Sequence, residues 1–238
     1  MAKFTETPIL SNRFSHAVNL ALLWHRNQVR KQGVPYVSHL LQVSGLVIEH
    51  GGSEDEAIAA VLHDAVEDVD IPIEHIRELF GEKVAKIVNA VSEDKALPRE
   101  QRKAAYVLSI GNSDRSVGLV SAADKLHNLR CYANQPELLD EGVCLFYCRL
   151  IPEYAAVLNE TTASYDFRVE EEHPMVAEMK AILLAKILPV VSNQWVVGDA
   201  DWNEDSFMYG EARVVKSVDL KLWDIGYIRA ITATSVIA

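Results

Sequence analysis

The chain has 238 residues, 49% of them hydrophobic, which is enough to bury a sizeable core and too apolar for global disorder. Its formal charge of −11 speaks against broad binding of DNA or RNA, which draws affinity from neutralising phosphates with Lys and Arg. Three cysteines, Cys131, Cys144 and Cys148, make no C-x-x-C pair, and an odd number argues against a disulfide framework.

In chain order, the first twenty residues mix Lys3, Glu6, Arg13 and His16 with apolar residues and so lack the apolar run of a secretory signal. Within residues 11–32, Phe14, Ala17, Val18, Ala21 and Leu22 recur at helical spacing until Gly33 and Pro35 break the pattern. A second helix is expected over about 38–49, ending at Gly51 and Gly52. Ser53 followed by Glu56 then reads as a capping box opening a third, which carries Ile58, Val61 and Leu62 to the core and ends between Asp64 and Glu67. Pro72 suits the first position of a short helix closed by Gly81, with Val84, Ile87, Val88 and Val91 on the next. Further helical patterns cover about 99–110, 117–132 and 138–159, and no strand pattern is seen up to about 163.

Beyond Ser164 the character changes. Pro174 opens one more expected helix through Leu188, and residues 181–191, the most apolar late stretch, are interrupted by Lys186 and Pro189 and fall short of the roughly 20 residues of a membrane span. Residues 212–218 and 227–237 are short, β-branched and bounded by polar residues or glycine, as strands often are. The expectation is a mainly α protein: a helical bundle over residues 1–163 and a small α+β or irregular extension over 164–238, soluble and cytoplasmic, with no membrane partner.

The strongest chemical signal is His63-Asp64-Ala65-Val66-Glu67-Asp68, which plants four polar groups at the end of a core helix. Buried charges need partners, so the cluster invites a cation. Alone, an adjacent His-Asp pair is a weak motif, and Glu67 with Asp68 reads first as a solvated acidic turn. His39 and Asp124, each among apolar neighbours on an expected helix, are the natural candidates to complete a site. Two imidazoles and two carboxylates suit a divalent ion of mixed N/O preference, most simply Mn²⁺. Such an ion lowers the pKa of its water from 15.7 towards about 7 and polarises a phosphoryl oxygen. His127 reads as a hydrogen-bonding neighbour rather than a ligand. Lys95, Arg99, Arg102 and Lys103 read equally as a reach to distal phosphates and as solvated charge, and Cys144 with Cys148 as small buried residues.

The blocks Arg30-Lys31-Gln32-Gly33-Val34-Pro35-Tyr36-Val37-Ser38-His39, His63-Asp64-x-x-Glu67-Asp68, Phe80-Gly81 and Ala123-Asp124-Lys125-Leu126-His127-Asn128-Leu129-Arg130 together resemble the hydrolase domain of the RelA/SpoT homologue family. They stand in the family's order and approximate spacing, over roughly residues 10–163. The resemblance implies an all-α HD domain and Mn²⁺-dependent hydrolysis of the 3′-pyrophosphate of ppGpp and pppGpp, giving GDP or GTP and pyrophosphate. It implies His39, His63, Asp64 and Asp124 as ligands of one divalent ion and Glu67 and Asp68 as the catalytic acidic pair. Arg30, Lys31, Tyr36 and Asn128 would then meet a phosphorylated guanine nucleotide.

Two departures concern the nucleobase pocket: Gln32 replaces a small residue, and Cys131 a threonine. Nothing after 163 resembles a synthetase domain. Covering the cleft, homo-oligomerisation and binding another protein are the roles open to the tail, whose Trp195, Trp202 and Trp223 read as local core or interface. The alternatives are the same chemistry on another phosphorylated nucleotide or dinucleotide, and a non-catalytic nucleotide sensor.

Overall fold

The computed structural model describes residues 9–31, 33–135, 138–139, 141–159 and 172–187, and these are helical apart from turns and one isolated antiparallel bridge between Val29 and Pro35. The chain divides into two compact units, Met1–His127 and Asn128–Ala238.

In the first unit, α1 (Asn12–Trp24) opens with the Ser11 hydroxyl accepting from the Arg13 N–H and buries Ala17 and Ala21. It is shorter than the sequence pattern suggests. The apolar repeat stops at Leu22, and beyond it the backbone finds partners outside the helix: Arg30 N–H donates to the Val34 carbonyl at 2.9 Å and Tyr36 N–H to that of Gln28 at 3.0 Å. Gly33, at φ 76°, makes the tight return. Then come α2 (Val37–Glu49) and α3 (Glu54–Leu62), the latter opened by the expected capping box between Ser53 and Glu56. Every residue of α3 from Glu56 to Leu62 is buried, and α1, α2 and α6 (Glu82–Val91) all pack against it, so α3 is the central helix of the unit.

Between α3 and α6 lie α4 (Ala65–Val69) and α5 (Ile73–Phe80). Asp70 ends α4 in the left-handed conformation at φ 55°, and Pro72 sits one residue before α5 as its N-cap. α7 (Arg99–Gly111) and α8 (Arg115–Asn134) follow. Leu40, Ile58, Leu62, Ile76, Ile87 and Leu126 are fully buried.

The α2–α3 turn brings Gly52 against α2: a Cβ there would stand 2.4 Å from Val47 Cγ1 and 2.7 Å from the Val47 carbonyl oxygen, to which Gly52 already donates its N–H at 2.8 Å. Gly52→Ala is therefore expected to destabilise the unit by about 1–3 kcal/mol through overpacking. Thermal or denaturant unfolding measures this, and an unchanged midpoint would mean that the turn yields freely.

In the second unit, α9 (Glu141–Leu158) packs with α10 (Pro174–Ile182), which runs on into a π-helical turn, Leu183–Ile187. Arg130 grips Glu178 with two 2.7 Å hydrogen bonds. The boundary expected near 163, the strands expected over 212–218 and 227–237, the three tail tryptophans and Gln32 lie outside the described residues. Among those described, no helix is long and apolar enough to cross a membrane.

Candidate metal centre

The centre starts where α3 runs out of hydrogen-bond partners. A helix leaves its last carbonyls unsatisfied, and His63 turns its ring back so that Nδ1 lies 2.8 Å from the Ala60 carbonyl. A carbonyl only accepts, so Nδ1 donates, and Nε2 on the other side offers a lone pair whenever the ring is neutral. Nε2 is buried and hydrogen-bonds to nothing among the described residues. It faces Asp64 Oδ2 at 3.0 Å and Asp124 Oδ1 at 3.6 Å. On a neutral ring that lone pair would repel the two carboxylate oxygens, so the contact calls for positive charge, either a proton on Nε2 or a cation between.

His39 faces the same oxygens from α2, its Nε2 being 3.2 Å from Asp124 Oδ1 and 3.6 Å from Asp64 Oδ2. The donor atoms of His39, His63 and Asp124, three buried residues, lie within 4.8 Å of one another. Neighbouring ligands of an ion bound at about 2.1 Å are spaced about 3 Å apart, so these three donors fit a divalent cation; Asp64, whose Oδ2 approaches both imidazoles, is not one of this mutually close set. Titration expresses the same need. Burial works against charge on His63, Asp64 and Asp124, yet their mutual attraction wins, with Lys125 the main influence lowering Asp124: His63 is held well above its ordinary pKa and both carboxyls well below theirs.

Further side chains fix these four residues in place. Tyr36 Oη donates to Asp64 Oδ2 at 2.6 Å, and burial followed by the negative charge of Asp64 raises its pKa far above the ordinary phenol value, so it stays a donor. The Tyr36 ring stacks on buried His25 at 5.4 Å, and the Arg30 guanidinium sits 6.0 Å over it. His25 Nδ1 donates to Gln28 Oε1 at 2.6 Å, and Gln28 Nε2 donates to Asp68 Oδ2 at 2.8 Å. Asp124 Oδ2 is held at 2.5 Å by Lys125 Nζ, which also lies 4.8 Å above the Tyr106 ring. Lys31 is exposed on the α1–α2 loop.

Glu67 and Asp68 stand one helical turn past His63 and Asp64, on α4. Glu67 Oε2 accepts the Glu93 N–H at 3.1 Å, while Lys95 donates to the Glu67 carbonyl and, at 3.2 Å, to Asp68 Oδ1. Burial pushes the Glu67 carboxyl up, and the charges of Asp64 and Glu93 add to this against the Glu93 N–H. The basic stretch near this turn is engaged by carboxylates: Arg102 and Lys103 hold Glu93 at 2.9 and 2.6 Å. The sequence assigns no role to His25, Gln28 or Lys125; only the adjacency of Lys125 to Asp124 offers a signal. Tyr36, expected to meet the substrate, has its hydroxyl on Asp64. Asn128, four residues after Asp124 on α8, begins the second unit.

Residues 17–143 match the HD domain family. Among curated proteins, the guanosine-3′,5′-bis(diphosphate) 3′-pyrophosphohydrolase MESH1 of Danio rerio is 40% identical over 117 residues, covering 48% of this chain and 65% of the relative. MESH1 of Drosophila melanogaster is 38% identical over 124 residues, covering 50% and 69%, and that of Homo sapiens 38% over 118, covering 48% and 66%. The chain thus spans about two thirds of the length of these relatives. A solved metazoan ortholog of SpoT that hydrolyzes ppGpp and plays a role in starvation responses superposes with a TM-score of 0.61 at 25% identity, covering 76% of this chain and 96% of that one. A solved protein of Listeria monocytogenes EGD-e gives 0.50 at 26% identity, covering 61% and 95%.

Proposed function

The chain belongs to the HD domain family, and from that we propose that it is a Mn²⁺-dependent hydrolase of the 3′-pyrophosphate of ppGpp and pppGpp, releasing GDP or GTP and pyrophosphate in the cytoplasm. The observation that carries the metal half of the reading is the unpartnered, buried His63 Nε2 facing two carboxylates beside a second imidazole. What supports the substrate half is the similarity to MESH1 proteins together with the order and spacing of the sequence blocks.

His39, His63, Asp64 and Asp124 hold the cation. When bound, it supplies charge to neutralise a phosphoryl oxygen and acidity to a water molecule. Glu67 is the group for the proton of the attacking water: its Oε2 is anchored by the Glu93 N–H, leaving Oε1 for transfer, and its raised pKa brings it nearer the working pH. Asp68, its two oxygens fixed by Gln28 and Lys95, orients that water. Arg30 and Lys31 are assigned to phosphate and Asn128 to the sugar. In a chain with a formal charge of −11, binding a polyanion requires such local positive charge.

Gln32 and Cys131 favour one second reading, the same chemistry on another phosphorylated nucleotide. Assay of a panel of nucleotides and dinucleotides separates the two. Release of pyrophosphate from ppGpp above the rest is the expected result. Turnover confined to a different nucleotide would overturn the substrate assignment and leave the cation centre standing.

A further inference from the structure

The two ligating imidazoles are set by different means. His63 leans on a main-chain carbonyl, which accepts a hydrogen bond whatever the side chains around it do. His39 leans on another ring: its Nδ1 lies 2.7 Å from Nδ1 of His127, with ring centroids 4.8 Å apart. Two N–H groups or two lone pairs cannot face each other at that separation, so one ring donates and the other accepts. Which does which follows from the opposite edge of His39, where Nε2 points at Asp124 Oδ1 and Asp64 Oδ2. To bind a cation there, Nε2 must offer its lone pair. The proton of His39 is then on Nδ1, and His127 accepts it through an unprotonated Nδ1, keeping its own proton on Nε2.

We propose that His127 is a positioning residue for the cation, fixing His39 in the tautomer and orientation that coordinate. A ligating histidine usually donates its second N–H to a carboxylate, a carbonyl or water. His39 is 1% exposed and His127 5%, so bulk solvent is excluded from this contact and the imidazole takes that place. His127 follows Asp124 by three residues on α8, so one helix supplies a ligand and the group that orients the ligand on α2. The inference rests on reading the site as a cation centre and is independent of the nucleotide turned over.

The test compares wild type, His127→Gln and His127→Leu by competition for Mn²⁺ against a fluorescent chelator. The imidazole ¹⁵N spectrum of the Zn²⁺-loaded wild type is recorded alongside. Glutamine keeps an acceptor oxygen and leucine keeps only bulk. His127→Leu is expected to lose about 10–100-fold in metal affinity, His127→Gln to keep most of it, and the spectrum to show His39 protonated at Nδ1 and His127 at Nε2. Wild-type affinity in His127→Leu, equal losses in the two variants, or a His39 protonated at Nε2 would each overturn the proposal while the cation centre stands. Absence of Mn²⁺ binding by wild type would overturn both. The spectrum needs no variant, so the proposal is decided even if a substitution impairs folding.

Discussion

Alanine in place of Asp64 or Asp124 is expected to abolish both metal retention and hydrolysis. Each supplies an oxygen within 3.6 Å of both imidazole Nε2 atoms, so removing either takes a quarter of the proposed donor set and one of its two negative charges. Loss of a group that merely orients a ligand typically lowers metal affinity 10–100-fold, and loss of a ligand itself exceeds that. At Asp124 the change also strands Lys125, whose side chain is only 12% exposed and whose ammonium is held at 2.5 Å by the missing carboxylate. Breaking a buried pair on one side destabilises by about 3–5 kcal/mol. Asp124→Asn, which keeps the shape, therefore accompanies the alanine variant. Elemental analysis after gel filtration reports the metal, circular dichroism the fold and product chromatography the rate. An unchanged rate in a variant of either aspartate would remove the proposed centre.

Glu67→Ala separates the proton from the metal. This residue is not among the converging donors, and its Oε2 is tied to the Glu93 N–H rather than to a ligand. The variant is expected to keep its metal while turnover falls about 10²-fold or more, the scale of general acid–base catalysis. Glu67→Gln, which still accepts from the Glu93 N–H, should lose as much, because an amide cannot take the proton. If Glu67→Gln instead turned over at the wild-type rate, the residue would be an anchor for the α6–α7 loop and no part of the chemistry. Metal loss in both variants would place Glu67 among the ligands.

The parts of this site legible in the sequence are those written in local spacing. The capping box Ser53–Glu56 announces α3, and the apolar run to Leu62 ending in His63-Asp64 announces a polar group on a buried helix end. His39 and Asp124 were legible as candidates because each interrupts an apolar stretch, but only the fold brings them to His63. The supporting shell is only partly legible for the same reason: His127 reads as a hydrogen-bonding residue, but its partner does not show in the sequence. His39 and His127 meet across 88 positions, Gln28 and Asp68 across 40, and Glu93 presents a backbone N–H, which no side-chain pattern records.

The sequence pattern runs past the end of α1 because residues 26–32 carry no strong helix breaker before Gly33, and the bonds that fold this loop back depend on Val34 and Tyr36 beyond it. The hydroxyl of Tyr36 rests on Asp64, 28 positions further on, a contact that its place in the basic loop does not announce.

The central claim is tested most directly by incubating metal-stripped protein with ppGpp, with and without added Mn²⁺, and separating the products by chromatography. GDP and pyrophosphate appearing only when Mn²⁺ is present is the predicted result. No turnover of ppGpp by protein shown to have bound Mn²⁺ would contradict it.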